Sequence, residues 1–334
     1  MTTVHTPAKV GGPYFDELTV GDVFDDAPAV TLTDGMAAAH QAILGDRLRI
    51  PLDAHLSNAV TGGPVAHPGL VTDLAIGQST LVTHHVKANL FYRGLRFLHF
   101  PRIGDTLHTT TEVVGLKENS PRPGRVPTGL AALRMHTVDQ NGHTVLDFYR
   151  CAMLPLSEHP DPQRDIVADD LAVIGDQHSE RSGPADWDLA AYRAQVPGPH
   201  FDPSLLGAEW RSSGDVVSSA PELARLTLNI AATHHDERVG VEGRLVYGGH
   251  TIGLALAQAT RALPNLVTVL GWHSCDHTGP VHEGDTLTSD LRLDSAEPLA
   301  QGGFAVELHS ITHAHRAAAG PAPVLDWRFT VLMA

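Results

Sequence analysis

In the second half of the chain, the stretch TLNIAATHHDERV (227–239) places Asn229 five residues ahead of His234. A neutral imidazole takes a proton from water near neutral pH without a large shift in its pKa. A carboxamide cannot take that proton, but it can accept a hydrogen bond from water and donate one to a neighbouring oxygen. Downstream, Gly248 and Gly249 open an apolar run, GGHTIGLALAQATRAL (248–263), that stops at Pro264. If that run is a helix, its first N–H groups and its dipole favour negative charge, and glycine lets an acyl group approach the backbone closely. Such a set could move a proton while negative charge develops beside it. Each part also has a plainer reading, since paired glycines make tight entry turns and one histidine among 22 is more often structural than catalytic.

Other polar clusters carry less. His235 and Asp236 follow His234 directly, and His84–His85 and THAH (312–315) repeat the motif of close histidines. Adjacent histidines diverge on a strand or helix, and no third ligand stands at zinc spacing, so no metal is expected. Asp46, in GDRLRIPLD (45–53), sits beside Arg47 and Arg49 and reads as a loop carboxylate.

The elements that must position these residues come in two copies. PRIGDTLHTTTEVVGL (101–116) matches PVHEGDTLTSDLRLD (280–294), VLDFYRCAML (145–154) matches VLDWRFTVLM (324–333), and AHPGLVTDLAIGQ (66–78) matches VYGGHTIGLALAQ (246–258). The offsets are 180, 179 and 180 residues, which marks a tandem duplication of a whole domain. The expected division is residues 1–156, a linker over 157–200 that is rich in Pro, Asp, Gly and Ser in its first part, and residues 201–334.

Each copy begins with a capped helix: Thr33 or Asp34 caps the first, and Ser218 or Ser219 caps the second ahead of Pro221. A Gly-led apolar helix follows, and then alternating, β-rich runs: 106–116, 128–138 and 144–154 in copy one, and 286–294, 302–313 and 324–333 in copy two. One buried helix with several antiparallel strands per copy is an α+β layer fold.

Bulk properties set the outer limits. A net charge of −15 argues against a surface for nucleic acid or anionic membrane. Two cysteines suit a reducing compartment, and neither a signal segment nor a membrane-spanning run is visible, so a cytoplasmic location is expected. Eight of the 23 Lys and Arg residues fall between Lys87 and Arg134, a bias compatible with a local phosphate site.

The order of elements, the PxxxGDTL turn and the loop upstream of the Gly-led helix resemble the MaoC-like, (R)-specific enoyl-CoA hydratase family. The phrases GDTLHTTTEVVGLKENS (104–120), RLVYGGHTIGLA (244–255) and VLDWRFTVLM are similar to those of its double-hotdog branch, the mesaconyl-CoA hydratases or β-methylmalyl-CoA dehydratases. The resemblance implies a tandem hotdog fold and reversible hydration of an enoyl-CoA thioester. It assigns proton transfer to His234, water positioning to Asn229 and the oxyanion N–H to Gly248.

It also implies that CoA arrives as part of the substrate, with no separate cofactor. Lys87, Arg93, Arg96 and Arg102, with Arg122 and Arg125, are the candidates for its phosphates. A monomer or a homodimer satisfies a double hotdog. The sequence departs from the family pattern in both copies: copy one keeps Asp46 but has Pro51 at the His position, while copy two keeps His234 but has Asn229 at the Asp position. Asp46 would therefore have to complete a site in the other copy. Two other functions stay open: a thioesterase, for which Asp236 and Glu237 are the nearby carboxylates, and a non-catalytic acyl-CoA binding protein.

Overall fold

The computed structural model describes residues 10–175, 183–239, 243–316 and 319–334. The extreme N-terminus and the middle of the expected linker lie outside these residues. Copy one contributes β1 (Val23–Phe24), β2 (Val30–Thr31), α1 (Asp34–Leu44), α2 (Arg49–Leu52), α3 (Ala54–Thr61), α4 (Pro68–Gln78), β3 (Ala88–Phe97), β4 (Thr106–Glu118), β5 (Thr128–Val138) and β6 (Thr144–Pro155). After α5 (Leu189–Gln195), copy two contributes β7 (Glu209–Arg211), β8 (Asp215–Val216), α6 (Ala220–Leu226), α7 (Gly248–Ala262), β9 (Leu266–His277), β10 (Thr286–Pro298), β11 (Phe304–Arg316) and β12 (Ala319–Met333).

The strands form one antiparallel sheet in the order β1-β4-β5-β6-β3-β9-β12-β11-β10-β7. That order reads as one copy followed by its mirror image, so the duplication seen in the sequence becomes a pseudo-twofold in space. The join is β3 against β9, with Tyr92 opposite Cys275 and Leu95 opposite Trp272. At the join, a Cβ on Gly271 would lie 2.4 Å from the Leu95 carbonyl oxygen, so the close approach needs glycine.

The two apolar helices are buried nearly all round, as their lack of a polar face requires. They contact each other and lie against the sheet. Strand β4 alternates between buried and part-exposed residues over most of its length, the period-two signature of one packed face. All six strand runs expected from alternation are present. Strand β9 was not anticipated, because its run LVTVLGW is buried on both faces and shows no alternation.

Two local expectations change. Thr33 caps α1 by accepting from the Met36 N–H, but Ser219 makes no side-chain cap bond and sits at φ 58°. Glu283, from a turn of the sheet, accepts from the Ala220 N–H and does that work instead. The stretch read as linker ends in α5, whose Leu189, Tyr192 and neighbouring Trp187 and Val196 pack with Ile50, Leu56 and Val60 of copy one and Val267 of copy two. This segment therefore helps hold the copies together.

Candidate active site

Each central helix meets the site loop of the other copy. A Cβ on Gly77 of α4 would lie 1.6 Å from the Thr227 carbonyl oxygen, so glycine is what lets the copy-two loop cross there. The loop then passes through Leu228 at φ 59°, an uncommon conformation for a non-glycine residue, and turns Asn229 inward. Behind it lies a cavity of about 330 Å³, lined by Asn229, His234, Tyr247, Gly248 and His277 from copy two and by Thr83, Lys87, Tyr92 and Arg150 from copy one. Neither copy could form it alone.

His234 is fixed by one bond. Its Nδ1 lies 2.9 Å from the Leu245 carbonyl oxygen, and because a carbonyl only accepts, Nδ1 carries the proton. The other nitrogen, Nε2, is left as the free base. Burial lowers the His234 pKa to about 4, with smaller contributions in the same direction from His235 and Arg150. The ring is therefore neutral at physiological pH. The Tyr247 ring stands edge-on to it, with centroids 5.8 Å apart. His235 is taken up in the loop itself, its Nε2 lying 2.6 Å from the Asn229 carbonyl oxygen.

Asn229 is buried, and its Oδ1 accepts from the Ala231 N–H at 3.0 Å. That leaves the amide NH2, rather than the oxygen, for the cavity. Gly248 is the first residue of α7, where no intrahelical acceptor exists for its N–H. A Cβ there would lie 2.6 Å from His277 Nε2, so the helix start and the His277 ring can share this corner only because residue 248 is glycine. His277 is half-buried, with its Nε2 shut off from solvent and unpartnered and its pKa lowered to about 4, mainly by desolvation.

Three relatives can be set beside this geometry. RV0216 of Mycobacterium tuberculosis, a double-hotdog protein of solved structure, is 61% identical and superposes with a TM-score of 0.92 over 98% of this chain and all (100%) of its own. Beta-methylmalyl-CoA dehydratase of Chloroflexus aurantiacus is 28% identical over 96% of this chain and 97% of its own length. Mesaconyl-CoA hydratase of Cereibacter sphaeroides is 27% identical over 91% and 90% respectively. The chain belongs to the double-hotdog, MaoC-like family. No family model matches the sequence.

Within this double hotdog, the residues singled out from sequence are dispersed unequally. Asn229, His234 and Gly248 line one cavity, and Lys87 stands exposed at its rim. Arg93 is instead paired with Asp276 at 2.7 Å and lies over the Phe91 ring. Arg102 donates to the carbonyls of Thr61 and Gly62, and neither it nor Arg96 lines the cavity. Arg122 and Arg125 lie on an exposed turn. The two carboxylates considered for a thioesterase are also elsewhere: Asp236 is held by Arg238, Glu237 is exposed, and no Asp or Glu lines the cavity.

Asp46 lies on the loop between α1 and α2, beside Arg47 and Arg49 as the sequence suggested, but it is buried. One oxygen accepts from the Leu48 N–H at 2.6 Å and lies 3.0 Å from His67 Nε2. The 180-residue offset makes His67 the counterpart of Tyr247. A buried chain of polar groups then runs between the copies, with His40 Nε2 at 3.2 Å from Asp73 and the Tyr247 hydroxyl donating to Asp73 at 3.1 Å. Asp46 thus belongs to the polar interior of copy one and does not line the His234 cavity.

Sequence reasoning did not single out Tyr92, Arg150, Tyr247 or His277. All come from elements far apart in the chain. Among the described residues, one three-donor group could hold a metal: His99, Asp139 and His143, near the β5–β6 turn and outside the cavity.

Proposed function

We propose that this protein reversibly hydrates an enoyl-CoA thioester, of the kind named for its mesaconyl-CoA and β-methylmalyl-CoA relatives. The observation that carries this reading is the His234 ring, pinned through Nδ1 so that its free Nε2 shares a cavity with the unpaired start of α7.

In the hydration direction, Nε2 takes a proton from water as the oxygen bonds to the β-carbon. Electrons from the double bond move onto the thioester oxygen, where the Gly248 N–H and the helix dipole hold the developing charge. The imidazolium then returns the proton to the α-carbon, completing the addition of one water. A base with pKa near 4 is a weak proton acceptor in the empty cavity. The negative charge that grows on the thioester beside it raises its basicity where the reaction needs it. The Asn229 NH2 donates toward the water or the acyl oxygen and orients it. Lys87, exposed at the rim, is the cation that this reading assigns to a phosphate of CoA.

Mixing the protein with crotonyl-CoA and with mesaconyl-CoA, and following enoyl absorbance together with free thiol, tests the proposal. Loss of absorbance without thiol is the expected result. Thiol release would mark a thioesterase, and binding without either signal would mark a carrier.

A further inference from the structure

Arg150 stands out from the other arginines that lie against the core. It is 3% exposed, sits on β6 opposite Tyr92, and lines the cavity with His234. Its Nη2 donates to Thr83 Oγ1, the Tyr92 phenol lies against it, and its Nε has no partner. Among the described residues no carboxylate pairs with it, and none lines the cavity. Arginines elsewhere are treated differently: Arg134 is paired with Asp147, Arg93 with Asp276 and Arg316 with Asp285. In a chain with 38 acidic residues, acids are not scarce.

A buried cation without a counter-ion is strongly destabilising, so its retention calls for an anion that arrives from outside. A guanidinium presents a planar fork that matches a carboxylate. The duplication supplies an internal control, because the 179-residue offset places Phe329 at the matching position of copy two, stacked on Trp327. The position itself tolerates an apolar ring.

We propose that Arg150 is the specificity-determining residue of this site: it pairs with the free carboxylate that an acyl group of the mesaconyl type carries at its far end, and so sets the preference for such thioesters over unsubstituted ones. This rests on the hydratase reading for the chemistry, though not for the binding.

Succinyl-CoA and butyryl-CoA, which are similar in size and carry no double bond to hydrate, separate the two. Titration calorimetry should show the wild type binding succinyl-CoA more tightly, by roughly 10- to 100-fold. In Arg150→Gln that ratio should fall to about one while butyryl-CoA affinity is kept. Arg150→Lys, which keeps the charge without the fork, should retain a weakened preference. Equal affinities in the wild type, or an undiminished preference in Arg150→Gln, would overturn the assignment and leave hydration of crotonyl-CoA by the wild type untouched. A carboxylate preference with no hydration of any enoyl-CoA would instead sink the hydratase reading alone.

Discussion

The two site loops of this chain descend from one ancestor sequence and have parted in opposite directions. In copy two the loop keeps His234, and the groups around it are polar: Tyr92, Arg150, Tyr247 and His277. At the matching positions around the copy-one loop stand Trp272, Phe329, His67 and Phe97, and Pro51 replaces the histidine. The space left between the helices there is about 10 Å³, lined by Phe97, Trp272 and Trp327. The copy-two loop thus opens onto the His234 cavity, whereas the space between the helices behind the copy-one loop is filled, and that loop's open side is a polar cleft lined by Asp46, Arg47, Arg49 and Asp53. Asp46, at the position where the family pattern has its Asp, holds the turn at Leu48 and lies beside the buried His67 ring.

The largest break in this comparison should come from His234→Ala, which removes the base and should lower kcat for hydration by roughly 10²- to 10⁴-fold. Hydration at full rate in that variant would refute the site. Gly248→Ala comes next. Its methyl must displace His277 and disturb the N–H that faces the thioester oxygen, so a loss of about 10²- to 10³-fold in kcat is expected.

Acid should weaken the folded state through three histidines held neutral, two of them in that cavity. His234, His250 and His277 each have a pKa depressed to about 4 by burial, against 6.5 when unfolded. Between those values the unfolded chain binds more protons, so stability is fully present above about pH 6.5 and is lost as pH falls toward 4. Each group contributes roughly 3 kcal/mol over that window. Denaturant midpoints measured from pH 7 to 4.5 should fall steeply, and a flat profile would show that these rings are not buried as neutral bases.

Asp46→Ala sharpens the contrast between the loops. It should cost about 1–3 kcal/mol of stability, because the Leu48 N–H loses its acceptor and the His67 ring its neighbouring carboxylate, while hydration stays within a few-fold of wild type. The smallest effect is expected from Asn229→Asp. A carboxylate can still accept from the Ala231 N–H, so the loop should keep its shape and the rate should change by about tenfold or less. A large gain would mean that the ancestral carboxylate was a second base.

Much of this was legible before any fold was seen. The repeated GDTL and VLD phrases identify a duplication, the alternation in 106–116 and 286–294 marks strands, and the apolar runs at 68–83 and 248–263 mark the two buried helices, the first of which ends earlier than expected, at Gln78. Local patterns of this kind report local packing. His234, Asn229 and Gly248 could be named because they lie within one short span and carry the family's motif. Arg93 and Arg102 misled because a cation's type does not say which acid or carbonyl it will meet.

The sequence alone determined that two related α+β domains lie in tandem, with the histidine of the family's loop pattern kept in the second and replaced by Pro51 in the first. The tertiary structure decided what surrounds that histidine. The pseudo-twofold carries β3, β6 and α4 of copy one across to the loop of copy two, and so brings Tyr92, Thr83 and Arg150 to a cavity whose base lies far along the chain. No periodicity records such a meeting, because it is set by the antiparallel join of β3 to β9 and by the close crossing of backbone at Gly77 and Gly271.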